Sequence, residues 1–233
     1  MILSRHLAVI SLALGSLAVP GGAQTGFPFQ DETLHYAVNW PSGLSFGDAS
    51  LVAHRTNGNW DLEMTLEASI PGFAILDRFH SVASSDLCSQ EFSRSFSHGS
   101  KKTTEKTTFD SKQGTATRAT GNGGGSTDFT IPPCARDALA FLYYARREMG
   151  QGRVPAAQQI FFGPAYSLRM EYLGAQTITW AEKPAVTDRV SVSVKGPAST
   201  TSFEIFFARD AARTPLLVKI PLTVGTISLE LAR

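Results

Sequence analysis

"NWDLEMTLEASI", residues 59–70, decides the fold. Trp60, Leu62, Met64, Leu66, Ala68 and Ile70 alternate with Asp61, Glu63, Thr65, Glu67 and Ser69. Period two with one apolar face predicts an antiparallel strand covered on one side only. The pattern recurs on both sides of this stretch. In "TLHYAVNW", Leu34, Tyr36, Val38 and Trp40 share a face. Leu168, Met170 and Tyr172 do so in "SLRMEYLG", and Val190, Val192 and Val194 in "RVSVSVKG". "TSFEIFF" and "TISLELAR" carry it towards Arg233. Turn signals separate the runs: "PSG" at 41–43, "NGN" at 57–59, "GP" at 163–164 and 196–197, and "RDAARTP" at 209–215. Short strands joined by turns predict an antiparallel meander that curls into a barrel or half-barrel. Gly47 breaks the alternation between Phe46 and Ala49, which predicts a bulge.

Two stretches differ. Between Ser97 and Thr130 the large apolar residues are Phe109 and Phe129 alone. "KKTTEKTTFD" therefore reads as an exposed edge strand, and "GNGGGSTD" as a flexible loop. The latter lacks the Lys and Ser/Thr spacing of a phosphate loop. "CARDALAFLYYARRE", residues 134–148, instead has helical spacing. Ala135, Ala138, Leu139, Leu142 and Ala145 form a stripe, widened by Phe141 and Tyr143. Asp137 suits the positive end of the dipole, Arg146 and Arg147 the negative end, and Gly150 and Gly152 stop the helix. Such a stripe needs a sheet to lie on.

The first residues predict export. Arg5 gives a positive n-region, Leu7 to Val19 a short apolar core, and Gly21 and Ala23 the small residues for cleavage after Ala23. Residue 24 is Gln, so no lipid-anchor cysteine follows the cut, and no later apolar run reaches the roughly 20 residues of a transmembrane helix. A periplasmic or secreted, soluble β-rich domain over 24–233 is the expectation. Removal of Arg5 with the leader lowers the formal charge of +1 to zero, which argues against a nucleic-acid partner. At 42% hydrophobic and 18% charged, the chain buries a real core. Two cysteines, Cys88 and Cys134, in an oxidising compartment are expected to pair. A bridge over that loop length stabilises by about 4 kcal/mol in the chain-entropy picture. A buried free thiol or a redox thiol are the alternatives, the latter without a C-x-x-C motif.

Three segments carry a resemblance. "FQDETLHYAVNW", "DALAFLYYAR" and "FEIFFARDAARTPLLVKIPL" resemble, in order, the conserved stretches of the exported bacterial family called domain of unknown function 3108. The matching positions are Asp31-Glu32 to Trp40, Asp137 to Arg146, and Asp210 with Arg213 and Pro215. "FQDE" stands where many members have a Gly before the Glu. The resemblance implies a secreted β-rich domain and carries over no activity or catalytic residue.

Catalytic signals are lacking in the sequence. The histidines have no zinc-site spacing, and G-x-S-x-G is absent. Glu63 and Glu67 on one strand face lie roughly 13 Å apart by strand rise, too far for a glycosidase pair. Asp210 and Arg213 flank a tight turn and read as a structural ion pair. The aromatics are more informative. Phe161–Phe162 and Phe206–Phe207 are adjacent rings, so one of each pair leaves the face of its neighbours. Either both faces are covered, or the second ring meets a ligand. Phe162, Tyr166 and Phe206, with Trp40 and Trp60 across the sheet, are the candidate ligand-lining residues.

Taken together, these signals predict a curled antiparallel β domain with one packed helix. The leading functional expectation is a non-catalytic cell-envelope protein that binds a hydrophobic small molecule or lipid and needs no cofactor. The alternatives are an assembly module that binds another envelope protein by the strand edge around Lys101 to Phe109, and an enzyme of unrecognised type.

Overall fold

A computed structural model describes residues 31–232, apart from Pro71, Asn122, Ala198 and Val224. The leader and its cleavage site after Ala23 lie outside the described residues. The described chain begins with β1 (Glu32–Asn39), β2 (Ser45–Thr56), β3 (Asn59–Ile70), β4 (Phe73–Ala83), β5 (Ser89–His98), β6 (Lys101–Asp110), β7 (Thr115–Thr120) and β8 (Ser126–Thr130). A two-residue β9 (Arg136–Asp137) leads into α1 (Ala138–Gly150). Then follow β10 (Gln158–Phe161), β11 (Ala165–Trp180), β12 (Lys183–Lys195), β13 (Thr200–Ala208), β14 (Pro215–Leu222) and β15 (Gly225–Leu231).

All these strands form one unclosed sheet in the order β8-β7-β6-β5-β4-β3-β2-β1-β15-β14-β13-β12-β11-β10-β9. It is two meanders joined where β1 pairs with β15, and only the β9–β10 pair is parallel. The two edge strands, β8 and β9, are consecutive in the chain. Residues 131–135 join them and can span only about 20 Å. The sheet must therefore curl until its far ends approach. The connector is held at both ends: Ser89 N of β5 donates to Ala135 O at 2.9 Å, and Ile131 N donates to Gly114 O, between β6 and β7, at 2.9 Å. Cys88 and Cys134 are joined by a disulfide, with Cα atoms 4.6 Å apart, which staples the connector to the β4–β5 turn.

The predicted alternation sets the inner face. Tyr36, Val38, Ala49, Leu51, Trp60 and Leu62 are buried on one half of the curl, and Leu168, Met170, Val190, Val192, Ile205 and Phe207 on the other. A register shift falls at Val38/Asn39, opposite Gly47. A Cβ on Gly47 would sit 2.3 Å from the Glu67 carbonyl, so the close approach of β2 to β3 requires glycine there.

Three expectations need correction. The helix begins at Ala138, not at residue 134, because residues 136–137 are drawn into β9 beside β10. "KKTTEKTTFD" is β6, an interior strand paired with β5 along Lys101–Thr108 and with β7 from Glu105 onward. Its threonines are β-prone, and β7 and β8 follow it, so its far edge is paired. Ser126 to Asp128, read as part of a flexible loop, belong to β8. The assembly edge expected around Lys101 to Phe109 is thus already paired.

Buried residues fall on every side of α1, which lies within the curl: Leu139, Ala140, Phe141, Tyr143, Ala145, Arg146 and Met149. An enclosed helix must satisfy its end and its charges. Asp137, fully buried, is the N-cap. Its Oδ1 accepts from Leu139 N (2.8 Å) and Ala140 N (3.1 Å), and its Oδ2 from the hydroxyls of Ser81 (2.6 Å) and Ser89 (2.5 Å). Burial pushes the Asp137 pKa up, and these four donors pull it back. At the other end Arg146, with no exposed side-chain surface, holds Glu32 of β1 bidentately at 2.6 and 2.7 Å. Its Nε donates to Ala212 O and Arg213 O. Tyr143 adds a hydroxyl to Glu32 at 3.3 Å. Helix, β1 and the β13–β14 turn are thus tied by one guanidinium.

Removing one partner of such a pair strands a buried charge. Glu32→Ala is expected to cost about 3–5 kcal/mol in a urea titration of the oxidised protein. The double replacement Glu32→Leu, Arg146→Met should recover most of that loss. A loss under about 1 kcal/mol for the single change would contradict a buried pair.

Candidate functional site

Between α1 and the inner faces of both meanders lies a cavity of about 570 Å³. Ala49, Leu51, Met64, Leu66 and Phe79 form one wall, and Leu168, Met170, Val192, Val194, Phe203, Ile205 and Phe207 the other. Val218, Ile220 and Leu229 connect the two walls across β14 and β15. The helix contributes Ala138, Leu139, Phe141, Leu142 and Ala145. These positions share one face by helical spacing. Leu142 is half-buried and points into this space instead of packing fully against the sheet, as the stripe alone would suggest. Ala138 and Ala145 flank it with single methyl groups, so the helix does not fill the gap beside it.

Few polar groups reach the lining. Tyr36 donates its hydroxyl to Pro215 O at 3.0 Å, and burial pushes its pKa up, so the phenol stays neutral. Ser50, Tyr166 and Asp77 are the other lining residues with polar side chains.

The adjacent-ring problem has two different resolutions. Phe162, just past β10, lines the cavity, with its ring 5.1 Å from that of Phe79 and 5.8 Å from that of Phe92. Phe161 faces the opposite way and is covered by β6–β8. Its ring lies 5.6 Å from Phe109 and 5.5 Å from Phe129. Thus β6, expected as an exposed edge, joins β8 in shielding the side of β10 that faces away from the cavity. Arg94 holds the Phe162 turn in place by donating to Phe162 O at 2.9 Å while pairing with Glu105 at 2.7 Å. Gly163 is needed here, since a Cβ would fall 2.4 Å from that guanidinium.

Phe207 lines the cavity with Phe203 and Ile205, so strand alternation turns Phe206 outward. Phe206 is nonetheless buried, under Arg189 at 5.9 Å and Lys219 at 5.4 Å from its ring. Those two cationic side chains lie over the outward ring as a ligand otherwise would.

Of the five residues singled out for ligand lining, the structure brings Phe162 and Tyr166 to the cavity. Trp60 is buried against Tyr143, on another side of α1, and Trp40 stacks on Phe46 past the end of β1. Neither reaches the cavity. The Asp210–Arg213 ion pair is also corrected. Arg213, in left-handed backbone at φ +50°, pairs with Asp188 of β12 at 2.5 Å. Asp210 instead accepts from Thr214 N (3.0 Å) and Thr214 Oγ1 (2.6 Å), closing the turn. Asp188 also accepts from Arg209 and is the charge that the sequence reading missed.

Asp61, Glu63 and His80 converge on the outward face and are the grouping there able to hold a cation. His80 Nε2 is 3.0 Å from Asp61 Oδ1, and that pair accounts for their closeness.

The profile of the family described as "Protein of unknown function (DUF3108)" matches residues 33–232. The chain is a DUF3108 protein. Three residues at the family-like stretches, Glu32, Asp137 and Arg146, are those that clamp the helix, so within this DUF3108 fold the matching stretches mark architecture. The crystal structure of a β-barrel-like protein of domain of unknown function DUF1849 from Brucella abortus is 5% identical, with a TM-score of 0.58. That match covers 86% of this chain and 95% of that one, and it is a likeness of fold. The Mycobacterium tuberculosis lipoprotein LppX is 14% identical over 86% of this chain and 84% of that one, at a TM-score of 0.30. No curated protein matches the chain. Among the described residues no helix is long and apolar enough to cross a membrane.

Phe206→Ala is expected to cost about 3–5 kcal/mol in denaturant titration, as for a packed ring. A loss below about 1 kcal/mol would place the ring in open space.

Proposed function

We propose that the protein is an exported, non-catalytic carrier of the cell envelope that holds an apolar or lipid-like ligand between its curled sheet and its helix. One observation carries this reading: the apolar faces of both meanders and the helix converge on a space of about 570 Å³ instead of on each other. Protein interiors are close-packed, and a void this large forfeits dispersion contacts along its whole lining. Its volume falls in the range of small-molecule sites, which are concave and mostly apolar with a few placed polar groups. An apolar cavity of this kind disfavours water and accepts apolar molecules. The disulfide fits an oxidising compartment outside the cytosol.

Leu142 is the residue on which the test turns, because its side chain points into the space while its backbone is fixed by the clamped helix. Leu142→Trp puts an indole where the ligand is to sit. Binding of an uncharged environment-sensitive fluorophore with an aliphatic tail should weaken at least about tenfold, a difference of about 1.4 kcal/mol. Unfolding should shift little, since the added ring enters unfilled space and not a packed core. Unchanged probe affinity in a stably folded variant would remove the cavity from the binding account.

A further inference from the structure

Asp77 is out of place in this lining. It lies on the inner face of β4 between Ile75 and Phe79, paired across the strands with Leu66 and Phe96. Its side chain is only 11% exposed, yet it lines the apolar cavity. Burial of a carboxylate beside such neighbours is costly unless its oxygens find donors. One does. His98 Nε2 lies 2.7 Å from Asp77 Oδ1, so a proton on Nε2 donates to it. Among the described residues no protein group donates to the second oxygen, which is not among the buried side-chain atoms left without a partner and so reaches open space. The pair also marks a way in. The His98 side chain is 42% exposed, and Phe73, at the start of β4, is 44% exposed, so this end of the strand faces solvent.

From this we infer that the ligand is an amphiphile with a cationic, hydrogen-bond-donating head, an ammonium group above all, received by the uncommitted oxygen of Asp77 while its chain enters the cavity. This inference rests on the carrier reading and adds the chemistry of the head group. Two physical terms select that head. A charge attracts or repels Asp77 more strongly among apolar walls than in water. An N–H donor also completes the carboxylate's hydrogen bonding, and bonds to charged groups are stronger than neutral ones. A carboxylate head would meet like charge at the same place, and a phosphate would fare no better. Met64, Leu66, Phe79, Leu142 and Met170 offer an apolar path for the chain without a further charge to receive. His98 leaves the arrangement intact, because it occupies the other oxygen and holds the carboxylate in place.

Displacement of an uncharged fluorophore by dodecylammonium, dodecanol and dodecanoate, each below its micelle concentration at neutral pH, separates the head from the chain. The wild-type protein should bind dodecylammonium at least about tenfold more tightly than dodecanoate, with dodecanol between them. In Asp77→Asn that preference should collapse to within about threefold while dodecanol affinity holds. Glu171→Gln, an exposed carboxylate away from the cavity, should leave all three affinities unchanged. If dodecanol and both charged amphiphiles bind the wild type equally, or if Asp77→Asn keeps the ranking, the head-group inference is overturned and the carrier reading stands. If neither the fluorophore nor dodecanol binds the wild type, the carrier reading itself fails and takes this one with it. Should Asp77→Asn not fold, the wild-type ranking of the three heads decides alone.

Discussion

The two edge strands of the sheet are neighbours in sequence, and a five-residue connector holds them. A flat sheet of this many strands would put its edges several times farther apart than that connector reaches. Curling is therefore a matter of chain connectivity before any side chain packs. The same connector carries Cys134 and delivers α1 directly into the space it has closed. A helix enclosed in this way must bring its polar ends and charges with it. Asp137 closes one end with two backbone amides and two serine hydroxyls, and Arg146 is neutralised by Glu32 near the other.

Clamped at both ends, the helix is held between the two meanders. One flank packs against Trp60, Leu62 and the neighbouring rings, and another joins Val190, Val192 and Phe207. Between these two packed regions the small residues Ala138 and Ala145 leave the cavity open. The cavity follows from how the helix is held, with polar tethers standing in for part of the apolar packing that a filled core would supply. Asp77 then becomes intelligible as a group kept at the rim for something outside the protein's own contacts.

The sequence made the strand faces legible because alternation is a local signal, and it placed the helix because its spacing changed to the helical period. Long-range partners were not legible. Phe161–Phe162 left open whether both faces of β10 are covered or one ring meets a ligand, and nothing local revealed that the threonine-rich strands β6–β8 would cover Phe161. Phe206 looked like a spare ring because long side chains from neighbouring strands, Arg189 and Lys219, cannot be matched to it without the register. Arg213 looked like a partner for Asp210, three residues away, whereas its left-handed backbone aims it at Asp188, 25 residues back. Asp77 was hidden for a simpler reason. In "FAILDRFHSVA" the Asp at an inner position reads as a break in the pattern, and its meaning depends on the empty space it faces.

The central claim is that the cavity exists to be occupied. Native mass spectrometry of the protein purified from its native cells without detergent tests it most directly. The account predicts a population carrying a discrete non-covalent mass that organic extraction removes, leaving a protein that remains folded and can be reloaded. A single bare mass under the same gentle conditions, from protein that also takes up no added amphiphile, would contradict it.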